Sequence, residues 1–169
     1  MRIYVPATWP MLTKLVDTGL LEPIGGTAFA LTPMLREYYT SGDDEELEYA
    51  AMLEAARASL RLLAVEFGLG EDGVPARRVV VVADLDEVTL RPDLDAGAVR
   101  LAGPVPLEKV AAVHIDDADA AYAVSQAAGA IDAADLGDLD AEFLIGEAED
   151  HELAWDDPSE VAFLIRGEG

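Results

Sequence analysis

The segment Arg77-Arg78-Val79-Val80-Val81-Val82-Ala83-Asp84 sets the architecture that we predict for this chain. Four consecutive valines favour a β-strand over a helix, because the two heavy atoms on each Cβ stiffen χ1 and crowd a helical turn. The run does not alternate apolar with polar residues, which is typical of a strand covered on both faces. It therefore predicts a central sheet strand, and the acidic loop Asp84-Leu85-Asp86-Glu87 leaves its end.

Three further strands are predicted around this one, at Arg2-Ile3-Tyr4-Val5, Lys109-Val110-Ala111-Ala112-Val113-His114-Ile115 and Glu152-Leu153-Ala154-Trp155. Short edge strands are expected at 88–90 and 99–101. Helical spacing and capping residues predict helices from Pro10 to a stop at Gly19, from Pro33, from Asp44 to about Phe67, over 118–128 with Gly129 at the end, within 131–150, and from Pro158. Residues 20–31, with Pro23 and Gly25-Gly26-Thr27, predict a linker that contains a turn.

This order of elements predicts one α/β domain that spans residues 1–169. If the two central strands pair antiparallel, the four main strands form a βαββαβ, ferredoxin-like (α+β) sheet with extra helices. If they are parallel, the connection between them must be a crossover and the sheet is doubly wound. The connector has no periodic helix, so we favour the antiparallel arrangement.

The charge balance limits the classes of partner. The chain has 34 acidic and 11 basic residues, a net charge of −23, so its surface should repel nucleic acid and anionic membranes. There is no cysteine, which excludes disulfides and thiolate chemistry. We expect a cytoplasmic protein, since the chain shows no signal peptide and no apolar run that approaches the roughly 20 residues needed to cross a bilayer. The acidity fits either a salt-adapted host or a GC-rich genome, and composition does not separate the two.

One group of residues could carry metal chemistry. Asp84, Asp86, His114, Asp116 and Asp117 lie at or just beyond the carboxyl ends of the two central strands. Carboxylate oxygens with one imidazole could hold Mg²⁺ or Mn²⁺ and activate a water. These strand ends meet only in a parallel sheet, so this hypothesis competes with the antiparallel fold. The simpler interpretation, which we favour, is a helix cap at Asp116 or Asp117 and an ordinary strand histidine.

The remaining polar and aromatic candidates are weaker. His151 lies among acidic residues and could serve as an acid–base group, but it also suits a solvated loop. Tyr38-Tyr39 could line a pocket or a protein contact. No nucleophile elbow, zinc helix or dinucleotide fingerprint is present in the sequence.

Several phrases resemble a family of small acidic actinobacterial proteins whose function is not established. They are Arg2-Ile3-Tyr4-Val5-Pro6-Ala7-Thr8, Gly25-Gly26-Thr27-Ala28-Phe29-Ala30-Leu31-Thr32-Pro33, Asp43-Asp44-Glu45-Glu46-Leu47-Glu48 and Asp150-His151-Glu152-Leu153-Ala154-Trp155. The resemblance covers most of the chain. It implies a single domain and a GC-rich host, and it brings no catalytic residue.

Together these observations predict an acidic module without catalytic activity or cofactor, which binds a basic protein or itself and neither nucleic acid nor membrane. The alternative is a small enzyme that depends on Mg²⁺ or Mn²⁺ and uses the strand-end carboxylates.

Overall fold

A computed structural model describes residues 1–39, 41–70 and 73–168. Within these residues there are nine strands: β1 (Arg2–Ala7), β2 (Leu20–Leu21), β3 (Thr27–Ala30), β4 (Val79–Asp84), β5 (Val88–Leu90), β6 (Ala98–Leu101), β7 (Val105–Pro106), β8 (Val110–Ile115) and β9 (Ala154–Asp156). The α-helices there are α1 (Trp9–Thr18), α2 (Pro33–Tyr38), α3 (Asp44–Gly68), α4 (Ala121–Asp135), α5 (Leu139–Glu149) and α6 (Pro158–Glu168). None of these helices is long and apolar enough to span a membrane.

Seven strands form one sheet in the order β5-β6-β3-β1-β4-β8-β9, and β2 pairs separately with β7. The six neighbouring pairs in the large sheet are antiparallel. The valine strand β4 lies between β1 and β8, and its first five residues are buried. The predicted central strand and its antiparallel pairing with β8 are thus confirmed.

The predicted four-stranded ferredoxin-like sheet is not confirmed, because the sheet is larger. The four main strands exist and lie side by side as β1-β4-β8-β9, but β3, β6 and β5 continue the sheet beyond β1. The doubly wound alternative is wrong, since β4 and β8 are antiparallel. Residues 20–31 are also more than a linker. Gly25 and Gly26 make the predicted turn at φ 65° and 71°, and β3 follows at once.

Helices cover both faces of the sheet. On one face α1 and α6 pack over Ile3, Val5, Val79 and Val81. On the other face the N-terminal half of α3 covers Tyr4, Phe29, Val80 and Val82. The C-terminal half of α3 then packs against α4 and α5, so α3 joins the sheet to the helical hairpin that α4 and α5 form.

Local sequence signals set most helix ends. Gly19 ends α1 at φ 78°, Thr32 caps α2, and the Asp43 side chain accepts a hydrogen bond from the Glu46 N–H at the start of α3. The predicted end at Gly129 is wrong, because α4 passes through it and ends at Asp135. Gly129 has no positive φ and its missing Cβ faces open space, so nothing there stops the helix.

Candidate functional site

The antiparallel pairing of β4 and β8 separates the residues predicted to bind a metal. Val80 lies opposite His114, so His114, Asp116 and Asp117 lie near the start of β4. Asp84 lies at the other end of β4, opposite Arg2. Val80 and Asp84 are four residue steps apart along the strand, a distance of roughly 13 Å.

Three of the four aspartates predicted to bind a metal instead form hydrogen bonds within the fold. Asp84 receives two hydrogen bonds of 3.1 Å from Arg2, and this guanidinium lowers the pKa of the Asp84 carboxyl. Asp117 caps a 3₁₀ turn by accepting from the Asp119 N–H at 3.0 Å, as the simpler interpretation predicts. Asp86 lies in an open depression beside Glu87. Among the residues that the structure describes, no three His, Cys, Asp or Glu side chains are placed to share a metal, and nothing favours the metal enzyme.

Asp116 forms a buried ion pair with Arg78, which was not predicted from the sequence. The Asp116 Oδ2 atom accepts from the backbone N and the Nε of Arg78, and Oδ1 accepts from Nη2, each at 2.8 Å. Nη2 also donates to the His151 carbonyl at 2.7 Å. Both side chains are almost fully buried. The pair therefore joins the start of β4, the end of β8 and the loop that precedes β9.

Both histidines of the chain line one cavity of about 200 Å³ between α3 and this loop. Its polar lining is Arg78, His114, His151, Glu149 and Glu152. Its apolar lining comes from Tyr49, Met52 and Leu53 on α3 and from Leu153. Burial lowers the pKa of His114, and the Asp156 carboxylate opposes this shift only in part, so the imidazole is neutral at pH 7.

The charge of the molecule is concentrated in its last third. Residues 110–165, called here the acidic segment, contain 15 aspartates and glutamates and no lysine or arginine. The segment comprises β8, α4, α5, β9 and most of α6. This part of the surface therefore carries an excess of negative charge, which favours cations over anions.

Two arginines of α3 neutralise only the inner side of the helical hairpin. Arg61 donates to Asp135 at 2.7 and 2.9 Å, while Arg57 donates to Asp135 at 3.2 Å and to Glu142 at 2.9 Å. Hydrogen bonding to Arg61, and then to Arg57, lowers the pKa of Asp135. These contacts hold α4 and α5 against α3.

Large apolar side chains are exposed where α4 turns into α5. We call Leu136, Leu139 and Phe143 the hairpin tip; their exposed fractions are 89, 83 and 67 %. Gly137 makes the turn at φ 95°, and the Asp138 side chain caps α5 through the Ala141 N–H. Leu139 and Phe143 are four residues apart, so they lie on one face of α5.

The tyrosine pair and the hairpin tip show what sequence reasoning found and missed. The rings of Tyr38 and Tyr39 pack edge to face at 5.3 Å, and neither residue lines the cavity that contains the histidines. The hairpin tip was missed because its leucines and phenylalanine suggested a partly buried helix. The available signal was the charge around them, since Asp135, Asp138 and Asp140 flank Leu136 and Leu139 on both sides.

Comparisons with known proteins identify the chain only at the level of a family. Neither the search of curated proteins nor the search of solved structures finds a match. A family model matches residues 1–165, nearly the whole chain. The chain therefore belongs to DUF6912, a family of unknown function.

Proposed function

We propose that this protein is a cytoplasmic, non-catalytic binding module whose hairpin tip docks a basic, amphipathic segment of another protein. The observation that carries the proposal is the placement of three exposed apolar side chains inside a segment that has 15 acidic residues and no basic one. A segment with apolar residues on one face and lysines or arginines around them complements both features.

The apolar residues supply affinity in this arrangement. Burying one Leu or Phe side chain contributes about 1.5–3 kcal/mol, and the surplus over the cost of association sets the affinity. Leu139 and Phe143 present a ridge at helical spacing, which is the pattern that an amphipathic partner contacts in helix-to-groove recognition.

The acidic residues supply selectivity and speed of association. Complementary charge steers a basic partner toward the site and rejects acidic ones. The same charge disfavours self-association through this surface and repels nucleic acid, because two copies would bring two acidic segments together. A basic partner is for this reason preferred to a second copy.

The test is the binding of a fluorescein-labelled amphipathic peptide of leucine and lysine, measured by anisotropy at about 0.05 and 0.3 M salt. We expect saturable binding that weakens with salt and falls about tenfold or more, roughly 1.4 kcal/mol, in the double variant Leu139→Ser/Phe143→Ser. The matched control is Phe163→Ser, since Phe163 is 73 % exposed but lies on α6, which packs on the other face of the sheet.

Three results would overturn the proposal. One is equal binding by the wild type and the double variant. Another is an equal loss in Phe163→Ser. The third is equal affinity for an oligolysine peptide that lacks leucine, since that peptide reports charge alone. Sedimentation of the free protein across the same salt range checks self-association as the competing outcome.

A further inference from the structure

The cavity that holds the two histidines has the features of a small-ligand site and lies apart from the hairpin tip. Ligand sites for drug-sized molecules typically enclose about 300–1,000 Å³. At about 200 Å³, this cavity suits a single amino-acid side chain with part of its backbone. It lies beside Glu149 at the last turn of α5, roughly 15 Å along the helix from Leu139 and roughly 9 Å from Phe143.

Arg78 offers the cavity a hydrogen-bond donor that the fold does not use. Its backbone N, Nε and Nη2 donate to Asp116 and to the His151 carbonyl. Nη1 has no acceptor in the described part of the chain, although Arg78 is 1 % exposed and lines the cavity. Nη1 is not among the buried side-chain atoms that lack a partner, so it is open to the cavity and can donate to a ligand oxygen there.

The net charge of the lining favours a cation. Asp116 compensates Arg78, and burial lowers the pKa of His114 so that its imidazole is neutral at pH 7. Glu149 and Glu152 are the acidic residues of the lining, and Glu149 reaches Arg57 only at 3.9 Å. The carbonyl end of α5 adds partial negative charge beside them.

The lining suits an organic cation better than a metal ion. The part of the chain that the structure describes contains no group of three side chains placed for metal coordination. Tyr49, Met52, Leu53 and Leu153 instead offer apolar walls for an aliphatic stem, and the Tyr49 ring can face a guanidinium or ammonium group.

From these contacts we infer that the cavity binds a basic amino-acid unit. Its guanidinium or ammonium group lies by Glu149 and Glu152, its aliphatic stem contacts Tyr49 and Leu53, and a carboxylate or carbonyl oxygen accepts from Nη1 of Arg78. The unit is either a free basic amino acid or an arginine or lysine residue of a peptide.

The imidazole signals of His114 and His151 report directly on this cavity by NMR, since the chain has two histidines. We expect L-arginine to shift both signals saturably at constant ionic strength. Agmatine, which has the guanidinium but no carboxylate, binds more weakly. A comparison of L-arginine with N-acetyl-L-arginine methylamide distinguishes the sources: tighter binding of the blocked form indicates a residue of a peptide, and weaker binding indicates a free amino acid.

The decisive variants remove two charges in each case. Glu149→Gln/Glu152→Gln weakens L-arginine binding at least tenfold, whereas Glu147→Gln/Asp150→Asn, which changes neighbouring residues outside the lining, leaves it unchanged. Leu139→Ser/Phe143→Ser also leaves it unchanged, so this site and the hairpin tip fail or succeed separately. Non-saturable shifts, an equal loss in both charge variants, or equal binding of agmatine and L-arginine would overturn the inference.

Discussion

The sheet and the α4–α5 hairpin are stabilised in different ways. The core around the sheet is built from large side chains such as Ile3, Leu12, Leu15 and Val81. The core between α3 and the hairpin includes Leu60, Leu63, Ile131 and Ile145, but six of its eleven buried residues are alanines. Alanine allows helices to approach closely and buries little apolar area, so the hairpin gains less free energy per residue from burial.

The charges follow the same division. Ten of the 11 basic residues precede residue 110, and Arg166 is the other. Arg57 and Arg61 reach from α3 to the hairpin and supply the cations that it lacks. The first part of the chain therefore supplies most of the sheet and restrains the hairpin, whose outer surface stays negative.

The buried ion pair that joins β4, β8 and the loop between α5 and β9 has the largest expected effect. Asp116→Ala leaves the Arg78 guanidinium buried without its counter-charge, which should lower the free energy of unfolding by about 3–5 kcal/mol. Urea denaturation monitored by circular dichroism measures this change. The double variant Arg78→Met/Asp116→Leu serves as the control, and it should recover most of the loss because apolar side chains of similar size can replace a buried pair.

If Asp116→Ala costs less than about 1 kcal/mol, the pair behaves like an exposed one and does not hold β4, β8 and the following loop together.

A pair of core truncations tests whether the hairpin opens separately from the sheet. Ile3→Ala and Ile131→Ala, both at fully buried positions, should each cost about 2–5 kcal/mol. Hydrogen exchange distinguishes them. Ile131→Ala should speed amide exchange in the hairpin and in the sheet, because global unfolding includes the hairpin. Ile3→Ala should speed exchange in β1, β4 and β8 only, since the hairpin opens while the sheet stays folded.

Faster hairpin exchange in Ile3→Ala, by the same factor as in the sheet, would show a single cooperative unit and contradict the comparison.

The elements that the sequence predicts well are those with strong local signals. The valine run of β4, the Thr32–Pro33 start of α2 and the Gly19 stop of α1 are fixed by side-chain sterics and backbone preferences within a few residues. Strand β3 was missed because Ala28 and Ala30 weaken the β-propensity that Thr27 and Phe29 supply, and the segment is only four residues long. It becomes a strand by pairing with β1 and β6, and such distant pairing leaves no local signal.

The candidate sites show the same limit. The sequence predicts that an antiparallel sheet would separate the candidate metal ligands. The structure confirms this, since Asp84 and His114 lie near opposite ends of β4. The Arg78–Asp116 pair was not predicted, since an arginine before a strand looks like an exposed residue until the register of β4 and β8 is known. Likewise His114 and His151 come together because β9 pairs with β8. The residues next to either histidine in the sequence do not indicate this pairing.

Replacing two glycines of the hairpin by alanine should change the stability by smaller amounts and in opposite directions. Both have open space around an added Cβ, so backbone conformation alone decides the outcome. Gly137→Ala places a side chain at φ 95° in the turn and should cost about 1 kcal/mol or more. Gly129→Ala, in the exposed interior of α4, should instead stabilise by about 0.5–1 kcal/mol. Thermal melts of the two variants against the wild type measure both signs.

A loss of stability in Gly129→Ala would mean that α4 is not helical through this position. That result would support the helix end that the sequence predicted at Gly129.

The smallest expected effect is a pH dependence of stability that comes from His114, which lies on strand β8 of the sheet. Burial lowers the pKa of His114 below its usual 6.5, so the unfolded chain takes up the proton first as the pH falls. The contribution of His114 to stability is therefore fully present above pH 6.5 and declines as the pH falls from 6.5 through the lower folded pKa. Urea denaturation at pH 7.5 and 5.5 should show a smaller loss in His114→Gln than in the wild type. The control is His151→Gln, which leaves His114 in place and should keep the wild-type difference in stability between the two pH values. An equal loss of stability in His114→Gln and the wild type would mean that His114 is solvated like a surface histidine.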